Sequence, residues 1–431
     1  MNILVDSGAS NNLGDIGMLE SVATRLLRIL PGANLSVVDR YGIRTTLWEV
    51  PQVRRQEPYS VRGRFFDFLW NVPFFWRYAN SWRQVTSRLY LAWFRTLLRP
   101  GSLHALPHKE LGVHTTTLSE FCEPFDALHV VGGGNLTDVF YGELFRRCCL
   151  ILTFAEQGKP VVLTGQQLGP FTSSLSKIGL VHALRNATFV GLRDSVDSLD
   201  FCREARLDPQ RFDLTGDDSL GLDPAGESLV SGVLARYGLK PNGFLAVNVR
   251  IGGYAQEHAG HLQMVAGLVD AVAREFQLPV VVVPIALGPG DSDLESGRKL
   301  AQLARFARVQ VIAEDGLAPA LVKGLLGEAF GAIGVSHHFC TFALSQGVPA
   351  VCLHDGDYYS QKAHGLCGFW QDKRLALPLR NVSADAGAEH IDQVLKDQLL
   401  RGRLRLLSEE ARERWQAIFD RHVIEAFGEI C

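Results

Sequence analysis

The sequence has no Cys-x-x-Cys pair, which removes zinc fingers and thioredoxin-like redox motifs from consideration. Its cysteines, Cys122, Cys148, Cys149, Cys202, Cys340, Cys352, Cys367 and Cys431, are scattered through mostly apolar stretches. That is the pattern of buried free thiols in a reducing compartment. No apolar run reaches the ~18 residues a membrane-spanning helix needs. The start, Met1-Asn2-Ile3-Leu4-Val5-Asp6, lacks the basic residues and apolar core of a signal peptide. A cytoplasmic location is therefore expected. A basic excess is missing too: the formal charge is −3, so nucleic acid is not expected as a partner. Neither an internal repeat nor a low-complexity tract is present. What is there is a globular composition, 47% hydrophobic and 21% charged over 431 residues. That length exceeds one ordinary core and suits two.

Short β-rich apolar runs alternate with helical patterns, which predicts parallel sheets built from βαβ units. Strands are expected at 3–5, 35–38, 128–131, 161–164, 189–192 and 212–214, and again at 244–249, 280–284, 309–312, 332–335 and 350–353. The polar, Gly- and Pro-bearing stretch 217–228 between the two sets is the expected boundary. The chain thus divides into two Rossmann-like, doubly wound α/β domains, 1–225 and 226–431. The tail from 386 reads as helices with an apolar stripe of Leu399, Leu404, Leu406, Leu407, Ala411, Trp415, Ile418 and Phe419. Within the first half, 59–105 reads as a helical insertion.

Turns that could carry chemistry follow the first-half strands. Asn12-Leu13-Gly14-Asp15 opens a periodic helix (Ile16, Leu19, Val22, Leu26). Free N–H groups at its start suit an anion or a substrate; in a plain cap, Asp15 would accept those bonds instead. Val131-Gly132-Gly133-Gly134-Asn135-Leu136 follows another strand. Its glycines let backbone approach a ligand, at the strand end where α/β ligands bind. The spacing is not Gly-x-Gly-x-x-Gly, which argues against a dinucleotide. Gly165 sits in a similar turn, Thr164-Gly165-Gln166-Gln167-Leu168-Gly169-Pro170. Arg193 ends a buried strand, where it can grip a carboxylate or phosphate bidentately or pair with Asp194 or Asp197.

The most informative run is Gly334-Val335-Ser336-His337-His338-Phe339-Cys340-Thr341, continuing to Gly347-Val348-Pro349. A strand ends in Ser-His-His, a helix follows, and Pro349 leads into the next strand. One or both of His337 and His338 therefore face the cleft at a strand top. Adjacent histidines rarely point the same way and no third ligand is apparent, so no metal is expected. A general acid, base or anion donor fits better.

This run, with Asp357-Tyr358-Tyr359-Ser360-Gln361-Lys362 after it, resembles the C-terminal signature of polysaccharide pyruvyl transferases. The resemblance places the family histidine on His338 and the family lysine on Lys362. The family's frequent arginine falls on Ser336, which removes one expected anion contact. Further matches are Asn12-Leu13-Gly14-Asp15, Gly132-Gly133-Gly134, Gly165 with Gly169-Pro170, Arg193-Asp194 and Val247-Asn248-Val249-Arg250. Gln167 stands where a third glycine is usual.

The resemblance implies a GT-B-like pair of domains facing a cleft. It also implies transfer of the pyruvyl unit of phosphoenolpyruvate, the co-substrate, to sugar hydroxyls, with no separate cofactor. His338 would be the acid/base group. Arg193, Lys362, Ser336, His337, Gly133, Gly134 and Asn135 would hold the donor, and Asn12, Gly14, Asp15, Gly165 and Arg250 would line the cleft. A nucleotide-sugar glycosyltransferase of the same shape is the alternative, with Asp355 and Asp357 the nearest acids for a ribose. A non-catalytic sugar-binding protein is a third. The segment 59–99 has no family counterpart. It holds Trp70, Trp76, Trp82 and Trp93 and seven arginines against Asp67 alone. It reads as a peripheral contact with the inner face of a membrane or a lipid-linked acceptor, or as aromatics packed on the first domain.

Overall fold

A computed structural model describes residues 1–59, 118–250, 261–288, 291–380 and 382–428. Apart from Tyr59, the expected insertion and membrane contact lie outside these residues.

The first half supplies strands β1 (Asn2–Asp6), β2 (Asn34–Val38), β3 (Val53–Gln56), β4 (Ala127–Val130), β5 (Gly133–Leu136), β6 (Val161–Leu168), β7 (Phe189–Leu192) and β8 (Phe212–Leu214). They form one parallel sheet in the order β3-β2-β1-β4-β6-β7-β8, with β5 paired to β6. The second half supplies β9 (Leu245–Asn248), β10 (Val280–Val282), a hairpin of β11 (Leu287–Gly288) and β12 (Asp291–Ser292), then β13 (Val309–Val311), β14 (Gly331–Gly334), β15 (Ala350–His354) and β16 (Ala376–Pro378). Its parallel sheet runs β13-β10-β9-β14-β15-β16. Continuous apolar runs make these strands: Ile3, Leu4 and Val5, and likewise Val280, Val281 and Val282, are fully buried, as in sheets covered by helices on both faces. In each sheet the strand order reverses once, between β1 and β4 and between β9 and β14. Such switch points open the crevices where α/β folds bind ligands.

Several local features bring the two crevices together. The Leu13–Ile29 helix begins at Asn12, whose side chain accepts from the N–H groups of Gly14 and Asp15. The cap is thus Asn12, and Asp15 is left free of that role. Backbone bonds Leu13 to Ile285 (2.8 Å) and Leu287 to Asn11 (2.7 Å) stitch this helix start to the second domain. Gly165 has φ +59°, and the β6–β7 register slips between Leu163 and Gln166. A positive φ is cheap only for glycine, and the irregularity falls within β6, which runs on through Gln166 and Gln167 to Leu168. The sequence reads 132–138 as a turn; the structure makes Gly133–Leu136 a short strand.

The sequence assigns the tail to the second half, but the Gln398–Phe427 helix lies largely against the first sheet. Trp415 donates to Asp218 (3.0 Å), Phe419 packs on His129, and His422 stacks on Phe189 at 3.7 Å. Its buried face, including Leu404, Trp415, Phe419 and Val423, joins a core shared by both domains. Among the described residues no helix is long and apolar enough to cross a membrane, and all seven described cysteines are buried free thiols.

Candidate active site in the interdomain cleft

From the first domain, Arg193 follows β7 and is buried. Its guanidinium donates to the Gln167 side-chain oxygen and stands 3.6 Å from Asp217. The alternative partner Asp194 is engaged elsewhere, accepting from Val196 N, Ser198 N and Ser198 Oγ. Gln167, at the position of the usual glycine, therefore orients the arginine.

From the second domain, Ser336 caps the His337–Leu344 helix, accepting from Phe339 N at 3.5 Å, while its own N–H donates to Asn248. Ser336 thus shapes the helix start. His337 and His338 occupy that start and both turn to Asp217, at 3.5 Å and 3.6 Å through their Nε2 atoms. His338 Nδ1 also lies 3.8 Å from Asp15. The ring comes so near the first helix that a Cβ on Gly14 would sit 2.1 Å from it; only glycine fits there. Lys362, from the Asp357–Phe369 helix, lies over the Tyr358 ring at 4.2 Å. A Cβ on Gly134 would come within 3.0 Å of Lys362 Cε and 3.4 Å of an Arg193 nitrogen. Tyr358 donates to Gly134 O at 3.2 Å, which ties the two domains at this point. Arg250, after β9, pairs with buried Asp293 at 3.2 Å.

The structure thus brings Arg193, Lys362, His337, His338, Gly14, Asp15 and Gly134 to one place. Arg250 lies near enough to depress the Lys362 amine. Asn135 faces away from this group, toward Gly8 and Arg147. Gly165 and Gly132 pack instead on Asp218, which accepts from Gly132 N and Thr164 Oγ1, each at 2.8 Å.

Asp217 is the residue that sequence reading missed. It was absorbed into a polar boundary, yet it stands between Arg193 and both histidines. The available signal was a pair of acids, Asp217-Asp218, directly after the last strand of the first sheet.

Burial governs the electrostatics. It pulls His337 down to about 4, with Arg193 adding to the effect. It also pulls His338 down to about 4, against the pull of Asp217 and Asp15. Lys362 falls to about 7 through burial and the nearby Arg193 and Arg250. Asp217 is pushed up by burial, but His338, His337 and Arg193 outweigh this and hold its carboxyl below the usual range. Asp218 lacks such neighbours, and burial raises it to about 7.

Both His337 nitrogens, His338 Nε2 and Asp217 Oδ2 are buried without a hydrogen-bond partner. Leaving such atoms unmet is costly, and several of them converging mark a place prepared for a ligand. The space beside Gln167, Arg193, Asp217, His337, Thr341 and Lys362 holds little more than a water molecule. Among the described residues no three His, Cys, Asp or Glu side chains converge as a metal site. The arrangement offers two cations for anionic groups and two neutral imidazoles for proton transfer, with Arg193 and both imidazoles set around one carboxylate.

A family model described as polysaccharide pyruvyl transferase matches residues 12–354. No protein of curated function matches the sequence. Among solved structures, the chain is similar to a putative UDP-N-acetylglucosamine 2-epimerase from Listeria monocytogenes, with TM-score 0.58 and 12% identity over 99% of this chain and 97% of that one. It is similar to the UDP-GlcNAc 2-epimerase from Neisseria meningitidis, solved with UDP-GlcNAc, with TM-score 0.57 and 12% identity over 99% and 100%. It is also similar to CalG4, the calicheamicin glycosyltransferase, with TM-score 0.54 and 15% identity over 100% and 99%. At such identities the likeness is one of fold, and that fold is GT-B.

Proposed function

The chain belongs to the polysaccharide pyruvyl transferase family, and from that premise we propose that it moves the pyruvyl unit of phosphoenolpyruvate onto sugar hydroxyls, releasing phosphate and leaving a pyruvate ketal. One observation carries the reading: Arg193, His337 and His338 converge on Asp217, with both His337 nitrogens, His338 Nε2 and Asp217 Oδ2 unmet, and Lys362 stands beside Arg193 at Gly134. In the reaction, a sugar hydroxyl adds through oxygen to C2 of the donor while C3 takes a proton. Phosphate then leaves with its electron pair, and a second hydroxyl closes the ketal at C2. Of the two hydroxyl protons, one is balanced by the proton on C3 and the other by the phosphate. His338 is neutral in the free protein and so is able to take up a proton and return it. Arg193 and Lys362 hold the carboxylate and phosphate from opposite domains. Asp217 positions Arg193 and both rings. The space between them is smaller than the donor, so the domains part to admit it.

The acceptor on this reading is a surface polysaccharide or its lipid-linked precursor, reached at the inner face of the membrane. Co-sedimentation with anionic liposomes tests that location: salt-sensitive binding supports it, and no binding at low salt removes it. For nucleotide-sugar transfer, the nearest acid for a ribose is Asp355, which is already held by Arg380 at 2.6 Å and His261 at 3.0 Å. Thermal shift separates the two reactions, because a ligand that binds the folded state raises its melting temperature. Stabilisation by phosphoenolpyruvate that is lost in Arg193→Ala and Lys362→Ala supports pyruvyl transfer. Stabilisation by a UDP-sugar and none by phosphoenolpyruvate overturns it.

A further inference from the structure

A second buried charge cluster lies at the end of β1 and takes no part in the reaction above. The Tyr141–Glu156 helix carries adjacent arginines, Arg146 and Arg147, both buried. Arg146 holds Asp6 at 2.8 and 3.1 Å and Glu143 at 2.8 Å. Arg147 reaches Asp6 through Nε alone, at 3.1 Å. Arg40 holds the other Glu143 oxygen at 3.1 Å. The nearby Asp39 is matched by Arg55 and by the N–H groups of Tyr41, Gly42 and Ile43. Tyr59, which touches Arg146, stays neutral, since burial raises it well above its ordinary value.

Among the described residues the charges do not balance. Arg40, Arg146 and Arg147 face Asp6 and Glu143, leaving one positive charge over. Arg40 and Arg147 each keep two nitrogens buried without a hydrogen-bond partner; the Arg40 side chain is 15% exposed and that of Arg147 is fully buried, so the surplus weighs on Arg147. An unmatched buried charge is among the costliest features a fold can keep, and a bound anion removes that cost. At Gly8, just past β1, the groups are close-packed: a Cβ there would come 2.2 Å from the Asn135 amide nitrogen and 3.4 Å from a terminal nitrogen of Arg147, so an anion enters only as the Asn135 side chain turns aside. A glycine backbone, an amide and a guanidinium with free N–H groups converge, all at the carboxyl end of the sheet and at its switch point.

We infer that the first domain holds a second oxyanion site, in which Arg147, Asn135 and the backbone at Gly8 take a phosphate or carboxylate group. Gly134 and Asn135 are neighbours on β5 and face one centre each, so the two sites flank this short strand. The donor's anionic groups are assigned to Arg193 and Lys362. The second site therefore serves another molecule, and on the pyruvyl-transfer reading that molecule is an acidic or phosphate-bearing acceptor.

The test uses thermal shift on the full chain, with inorganic pyrophosphate and glucuronate as probes for the two sources of oxyanion. In Arg193→Ala, at least one probe is expected to stabilise the protein as it does the unaltered chain. In Arg147→Met, apparent affinity for that probe falls at least ten-fold, while the melting temperature without probe holds or rises because Asp6 keeps Arg146. Phosphoenolpyruvate shows the reverse pattern, weakened by Arg193→Ala and spared by Arg147→Met. Loss of all probe stabilisation in Arg193→Ala overturns the site, and so does an unchanged response in Arg147→Met. Should Arg147→Met fail to fold, Asn135→Asp places a carboxylate beside Arg147. It should abolish the probe response, and an unaltered response overturns the proposal. If phosphoenolpyruvate stabilises no protein while the probe pattern holds, the second site stands and only its assignment to the acceptor falls.

Discussion

Around Asp6, carboxylates and guanidiniums meet at 2.8 to 3.1 Å; around Asp217, equally buried groups stand 3.5 to 3.6 Å apart. The difference decides where protons are held. Pairing outweighs burial at the first cluster, so the Asp6 carboxyl is held down and Arg146 is held up. Both stay ionised at any ordinary pH. At the second cluster burial acts on loosely matched groups, and His337, His338 and Lys362 are all drawn down from their ordinary values. One cluster fixes its charges; the other keeps protons exchangeable.

The sharpest way to break this comparison is to remove each central acid. Asp6→Asn strips two buried arginines of their main partner and should cost about 3–5 kcal/mol of stability, read by urea denaturation. Asp217→Asn should cost less than half as much, because its carboxylate already bears unmet desolvation. Equal losses would show that the two clusters are alike. Next in size, His338→Ala should lower turnover by ~10² or more while the fold survives. Near-normal turnover in a folded variant would transfer the role to His337.

Arg193→Lys keeps the charge and loses the planar fork. Donor affinity by calorimetry should weaken about ten-fold, the loss of roughly one good charge-assisted bond. An unchanged affinity in both Arg193→Lys and Lys362→Ala places the anion clamp elsewhere.

The smallest effect is in pH. Both histidines titrate near 4 when folded, against 6.5 for the ordinary group. The unfolded chain therefore takes protons first, and stability should fall as pH drops from about 6.5 to about 4. Lys362 acts in the same sense between 10.5 and about 7. An arriving anion raises all three groups, so donor binding should take up protons. Calorimetry in buffers of different ionisation enthalpy measures that uptake. None at pH 7 would mean that the loose cluster is as fixed as the tight one.

The expected strands and the Ser336-His337-His338 corner were legible because an apolar run followed by a glycine- or histidine-bearing turn has few structural solutions; β3, β5 and β16 were not. Lys362 was legible only through family resemblance, since a lone lysine on a helix carries no local signal. Asp217 was not legible: among glycines and acids, a buried carboxylate and a solvated linker have the same composition. Arg146 and Arg147 were hidden for the opposite reason, lying in a helix whose neighbours, Phe145, Cys148 and Cys149, read as core. The tail's apolar stripe is a packing face only in part, and periodicity does not say which sheet it meets. Leu399 and Leu406 proved exposed, while Trp415 and Phe419 are buried.

That last helix also limits how the protein can move. Near its start Arg403 reaches Asp372 in the second domain at 2.7 Å; farther along, Trp415 bonds Asp218 in the first. Between them Arg412 pairs with Asp223, where the chain makes its other passage between domains. The polypeptide therefore crosses twice, at neighbouring points, and one crossing is an unbroken rod. Two adjacent crossings favour rotation about the line through them, and the backbone bonds of Leu13 to Ile285 and Leu287 to Asn11 must give for the cleft to open. The donor would thus be admitted by a swing of fixed direction, with the rod as its spindle.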